Sequence, residues 1–63
     1  MPIAQIYIME GRDDATKEKL IEEITDAMVR SLNAPRDVVR VMLTEMPKQH
    51  FGIGGTSAKK LGR

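Results

Sequence analysis

The chain contains no cysteine and a single histidine, His50. No disulfide can therefore staple it, no thiolate can act as a nucleophile, and no metal site of the usual Cys/His spacing can be assembled. Tryptophan is missing too, and Tyr7 and Phe51 are the only aromatic side chains. There is no excess of charge of one sign: 10 basic and 9 acidic residues are interleaved, for a net charge of +1. That balance offers no broad positive field to hold nucleic acid, and the terminal KKLGR is too short to supply one. No apolar run approaches the ~20 residues of a membrane span, and no basic segment leads into an apolar core at the start. The expectation is a cytoplasmic protein with neither nucleic acid nor membrane as partner. GxSxG and P-loop motifs are also absent, and GIGG at 52–55 lacks the spacing of a dinucleotide fingerprint and reads as a turn.

What is present suits a globular domain, with 41% hydrophobic and 30% charged residues. At 63 residues the chain is expected to be one domain, 1–63. A domain of this length buries only ~60% of the surface its unfolded chain exposes, so it needs a further source of stability. Small scaffolds find it in disulfides, a structural metal or association, and only association is left here.

Pro2 heads an alternating run, Ile3–Met9, which predicts a strand with Pro2, Ala4, Ile6 and Ile8 on one face. Gly11 marks a turn, and Asp13 or Asp14 supplies an N-cap. Leu20, Ile24, Ala27, Met28 and Leu32 recur at three-and-four spacing, with Ile21 at the edge, and predict a helix over Ala15–Leu32. Asp26 and Arg30 are spaced for an i,i+4 ion pair on its outer face. Asn33 and Pro35 end it. Val38–Met46 reads as a second strand, covered on both faces, and KQHFGIGG offers a short hairpin. The tail TSAKKLGR is expected to be ordered only against a neighbouring subunit. Strand, long helix and strand make a β-α-β unit of the α/β (α+β) class with parallel strands. One helix covers one sheet face and leaves the other bare.

Three residues stand out chemically: Pro2, Arg12 and Arg40. Each has an ordinary reading, as a strand-initiating proline, a solvated turn arginine and a strand arginine whose head reaches water. If Met1 is removed, however, Pro2 becomes a secondary amine with a basic lone pair. Removal of Met1 in the mature protein is expected. His50 flanks a turn and reads as structural or exposed.

PIAQIYI, EGR, NAP, VRV, TEMPK and HFGIGG together resemble the small 4-oxalocrotonate tautomerase family, and the resemblance runs through essentially the whole chain. It implies a β-α-β protomer assembled as a homohexamer, a trimer of dimers, with sites built between subunits. It implies the amino-terminal Pro2 as general base, Arg12 and Arg40 as catalytic and substrate-binding arginines, Phe51 as an apolar wall and Met9 as a backbone contributor. It also implies that no cofactor is required and that the substrate is a small dicarboxylate or 2-oxo acid, 2-hydroxymuconate from catechol meta-cleavage being the model dienol. Val38 stands where a familiar member has serine and makes the margin of the site more apolar; Tyr7 stands where that member has histidine.

The residue chemistry agrees. A general base works best with a pKa near the working pH. Burial among Ile3, Ile8 and Phe51 and the two guanidiniums would both disfavour a charged proline amine. The same guanidiniums suit a substrate with a carboxylate at each end. Two other readings remain at this stage: hydration or dehalogenation of a 3-haloacrylate, with Pro2 as an acid and Tyr7 or Glu10 activating water, and an oligomeric scaffold without turnover.

Overall fold

In the computed structural model, which describes residues 1–63, the alternating run after Pro2 forms β1, Ile3–Met9. Ala4, Ile6 and Ile8 are half-buried on one face, while Ile3, Gln5 and Tyr7 stand exposed on the other. At Gly11 the backbone takes φ +121°, which a residue without Cβ adopts freely. Asp13 then caps α1, Asp14–Leu32, its carboxylate accepting the Thr16 N–H at 3.0 Å. That bond holds the Asp13 pKa below its ordinary value.

Helix α1 lays Leu20, Ile24, Ala27 and Met28 toward the sheet. Leu32, expected on the same stripe, is 58% exposed. The reason is length: from Lys17, which is tied to Glu45, to Leu32 the helix runs about 22 Å, whereas the facing strand from Glu45 back to Arg40 runs about 17 Å. The last turn overhangs the strands. Asn33 in the left-handed conformation, φ 53°, stops the helix.

The second strand starts later than expected. Residues Arg36–Val38 form a 3-10 turn after Pro35, with the Val38 N–H donating to the Pro35 carbonyl at 3.3 Å and the Val39 N–H to the Arg36 carbonyl at 3.2 Å. These i→i+3 bonds override the β preference of the two valines, so β2 is Arg40–Met46. It pairs in parallel with β1 from Ile3↔Arg40 to Met9↔Met46. Asp26 meets Arg36 of the turn rather than Arg30, because the reversal at Asn33 folds the chain back along the helix.

A second 3-10 turn, Lys48–His50, leads into a hairpin of β3, Gly52–Ile53, and β4, Thr56–Ser57. Gly54 and Gly55 supply the two consecutive positive φ angles of its turn. The tail, contrary to expectation, folds within its own chain. Ala58, at 1% exposure, is the one fully buried residue; its N–H donates to the Phe51 carbonyl at 2.8 Å, and its carbonyl accepts from the Arg63 N–H at 2.9 Å.

The radius of gyration is 14.7 Å, against about 11 Å for a compact domain of this length. The accessible surface is 4844 Å², against roughly 4100 Å² for a folded monomer of this mass. On the sheet face that α1 does not cover, Ile3, Tyr7 and Met42 are 55%, 66% and 44% exposed. No helix is long and apolar enough to cross a membrane.

Candidate active site

The two strands carry the predicted site residues at their opposite ends. At the first end the Arg40 N–H donates to the Pro2 carbonyl at 3.0 Å, which makes the two residues backbone neighbours. Their side chains diverge. Pro2 continues the half-buried face of Ala4 and Ile6, whereas Arg40 pairs with Ile3 and shares its exposed face. The Arg40 guanidinium does not hang free: Nη1 donates to the Asp37 carbonyl at 2.8 Å and to the Val39 carbonyl at 3.4 Å. Asp37 belongs to the 3-10 turn, and that turn is tied to α1 through the Arg36–Asp26 ion pair. The hydrogen bond that Arg36 donates to the Asp26 carboxylate raises the already high pKa of the guanidinium.

At the far end, Arg12 is exposed in the turn after β1, and its Nη1 donates to the Met9 carbonyl at 3.3 Å. Tyr7, Ile8, Met9, Met46 and Phe51 line an apolar cavity of about 170 Å³ there. A larger hollow, about 580 Å³, lies beside it, lined by polar and charged side chains including Glu10, Lys48 and Lys59. Size and chemistry disagree between the two. The smaller is the better candidate for a hydrocarbon backbone, because it contains Met9 and Phe51 and its walls are apolar. Lys17 crosses from α1 to this end of β2 and bonds Glu45 at 3.0 Å, with Asp14 at 3.4 Å. The Glu45 bond raises the Lys17 pKa.

Seven residue steps of extended chain, about 23 Å, separate Pro2 from Met9. One chain therefore does not surround Pro2 with Ile8, Phe51 and Arg12; the strand between them is too long. Ile3 and Arg40 are its near neighbours. Tyr7 and Glu10 likewise do not share the Pro2 end. His50 is exposed in its 3-10 turn. No group of three or more His, Cys, Asp or Glu side chains gathers where a metal could sit. Arg36 and the Asp37 carbonyl were not singled out from the sequence, and Asp26 was paired there with Arg30 instead. The ten-residue separation of Asp26 and Arg36 across an Asn-Ala-Pro reversal was the available signal.

Residues 2–61 match the family described as "Tautomerase enzyme". The 2-hydroxymuconate tautomerase of Pseudomonas putida is 65% identical over 63 residues, the whole of both chains. A solved structure of the 4-oxalocrotonate tautomerase isozymes of Methylibium petroleiphilum superposes with a TM-score of 0.92 at 50% identity, covering 98% of this chain and 100% of that one. The heterohexamer 4-oxalocrotonate tautomerase of Chloroflexus aurantiacus J-10-fl superposes at 0.90 with 30% identity, covering 97% and 98%.

Proposed function

The chain belongs to the tautomerase family, and from that premise we propose a division of labour among its residues. It is an enzyme of the 2-hydroxymuconate tautomerase type, an isomerase of aromatic catabolism that converts 2-hydroxymuconate-type dienols to the conjugated 2-oxo-3-enoate. The 65% identity with the Pseudomonas putida enzyme, along the full length of both chains, is the observation that carries the activity.

In the proposed mechanism Met1 is removed and the Pro2 nitrogen becomes the general base. It takes the proton from the dienol hydroxyl and returns it to a carbon of the same substrate, so no atom or electron is gained or lost. Arg40 binds the adjacent carboxylate and the oxyanion that develops at C2, a charge stabilised by a preorganised donor. Arg12 holds the distal carboxylate, Phe51 walls the hydrocarbon chain, and Met9 contributes through its backbone. Each arginine commits Nη1 to its own chain, Arg12 to the Met9 carbonyl and Arg40 to the Asp37 and Val39 carbonyls, and its other donors remain for a carboxylate. The chemistry needs no cofactor.

Residues 1–63 act as one domain within a homohexamer. Two observations support the assembly: the open protomer has a bare sheet face that exposes Ile3, Tyr7 and Met42, and the predicted site residues are split between two ends of its sheet. A neighbouring copy can bring its Arg12 and Phe51 end to the Pro2 of the first. The reading places the enzyme in the cytoplasm, and no helix is long and apolar enough to cross a membrane.

Intact mass of the purified protein, measured beside its turnover of 2-hydroxymuconate, tests the proposal. The expected sample lacks Met1 and tautomerises the dienol. A processed chain without turnover overturns the assignment.

A further inference from the structure

The 3-10 turn Arg36–Val38 does more than connect α1 to β2. Its middle carbonyl, that of Asp37, receives the Arg40 guanidinium at 2.8 Å. A carbonyl anchor is only as fixed as the backbone that presents it. This turn is three residues long and is closed by two i→i+3 bonds at 3.3 and 3.2 Å. Such short turns have poorer hydrogen-bond geometry than an α-helix. The side-chain link from the turn to a longer element is Arg36 with Asp26 on α1.

We propose that Asp26 and Arg36 are positioning residues for Arg40. Their ion pair clamps the turn to the helix and so fixes the carbonyl that orients the Arg40 guanidinium. The proposal rests on the reading of Arg40 as the ligand of the substrate carboxylate and oxyanion. An exposed ion pair contributes little to folding stability, so its effect is expected in catalysis, where small displacements of a positioned group are costly.

The test is a double-mutant cycle on kcat/KM with 2-hydroxymuconate. Arg36→Met is expected to lower kcat/KM by about threefold to tenfold in the native background and to change nothing further in an Arg40→Gln background, because nothing is left to position. The charge-reversed pair Asp26→Arg with Arg36→Asp should recover most of the loss, with Asp26→Asn as the parallel variant if Arg36→Met does not assemble. An equal loss in both backgrounds, or no recovery by the reversed pair, overturns the proposal, since a merely structural role would be independent of Arg40. If Arg40→Gln lowers kcat/KM but Arg36→Met does not, the positioning role alone falls. If Arg40→Gln matches the parent, the reading of Arg40 falls and the positioning role with it.

Discussion

The two ends of the parallel sheet are built for different work. The end where β1 begins is polar and tightly referenced: Pro2 and Arg40 are joined through the backbone, and the guanidinium is held at 2.8 Å by a turn that is itself tied to α1. The end where β1 finishes holds an apolar cavity and a less firmly held arginine. Its cavity is lined by Phe51, Met9 and their neighbours, and Arg12 is held by one 3.3 Å bond beside a glycine turn. A dicarboxylate dienol needs both characters at once, a base with an oxyanion partner and an apolar slot with a second cation. One protomer offers them on opposite sides of a strand that is too long to bridge. On the proposed division of labour, the contrast teaches that catalytic competence belongs to the assembly, with each protomer carrying two half-sites.

Subunit mixing should strain that contrast hardest. Pro2→Ala and Arg12→Ala, each alone, are expected to lose at least about tenfold in kcat/KM, or ~1.4 kcal/mol of transition-state stabilisation. Unfolded together and refolded as a mixture, they should regain native sites wherever an intact Pro2 end meets an intact Arg12 end, about a quarter of the total for random closed assembly. Activity that stays at the sum of the two variants would show that both ends work within one chain.

A smaller effect should come from Phe51→Ala, which removes the aromatic wall at the apolar end only. We expect KM to rise about threefold to tenfold with kcat little changed, as lost apolar contact predicts. A fall in kcat at constant KM would blur the distinction between the ends.

The smallest effect concerns stability. Asp13 caps the helix beside the Arg12 turn, and its folded pKa lies below the ordinary 3.8. A depressed carboxylate pKa contributes stability above the unfolded value and loses it as pH falls through the folded one. Thermal denaturation of Asp13→Ala should therefore show a Tm a few degrees below the parent at neutral pH, and the gap should close in acid. A gap that persists in strong acid would assign the loss to something other than the carboxylate cap.

The sequence made β1 legible to the residue because proline, a clean period of two and a glycine bound it on both sides. The start of α1 came within one residue for a similar reason, the aspartate cap. Where local signals competed, sequence reading erred. Val38 and Val39 favour a strand, yet the i→i+3 bonds that follow Pro35 placed Val38 in a turn. Asp26 was matched to its nearest helical partner, whereas the chain reversal delivered Arg36. The tail was expected to order only against a neighbouring subunit, but the short hairpin gave Ala58 and its neighbours backbone partners. The residue types proposed for the site were recognisable from the chain. The distance from Pro2 to Met9 follows from the length of β1, whereas the register that sets Arg40 beside Pro2 could not be read from composition.

Pro2 enters the sheet only through its carbonyl, which accepts the Arg40 N–H. As an internal residue it has no N–H to donate, so the ladder makes no use of its nitrogen. Excision of Met1 consequently breaks no rung of the sheet, and the only thing that changes is the chemistry of one nitrogen. In the proposed maturation the ladder would thus stay as it is, and the amine would emerge at an address the backbone has already fixed.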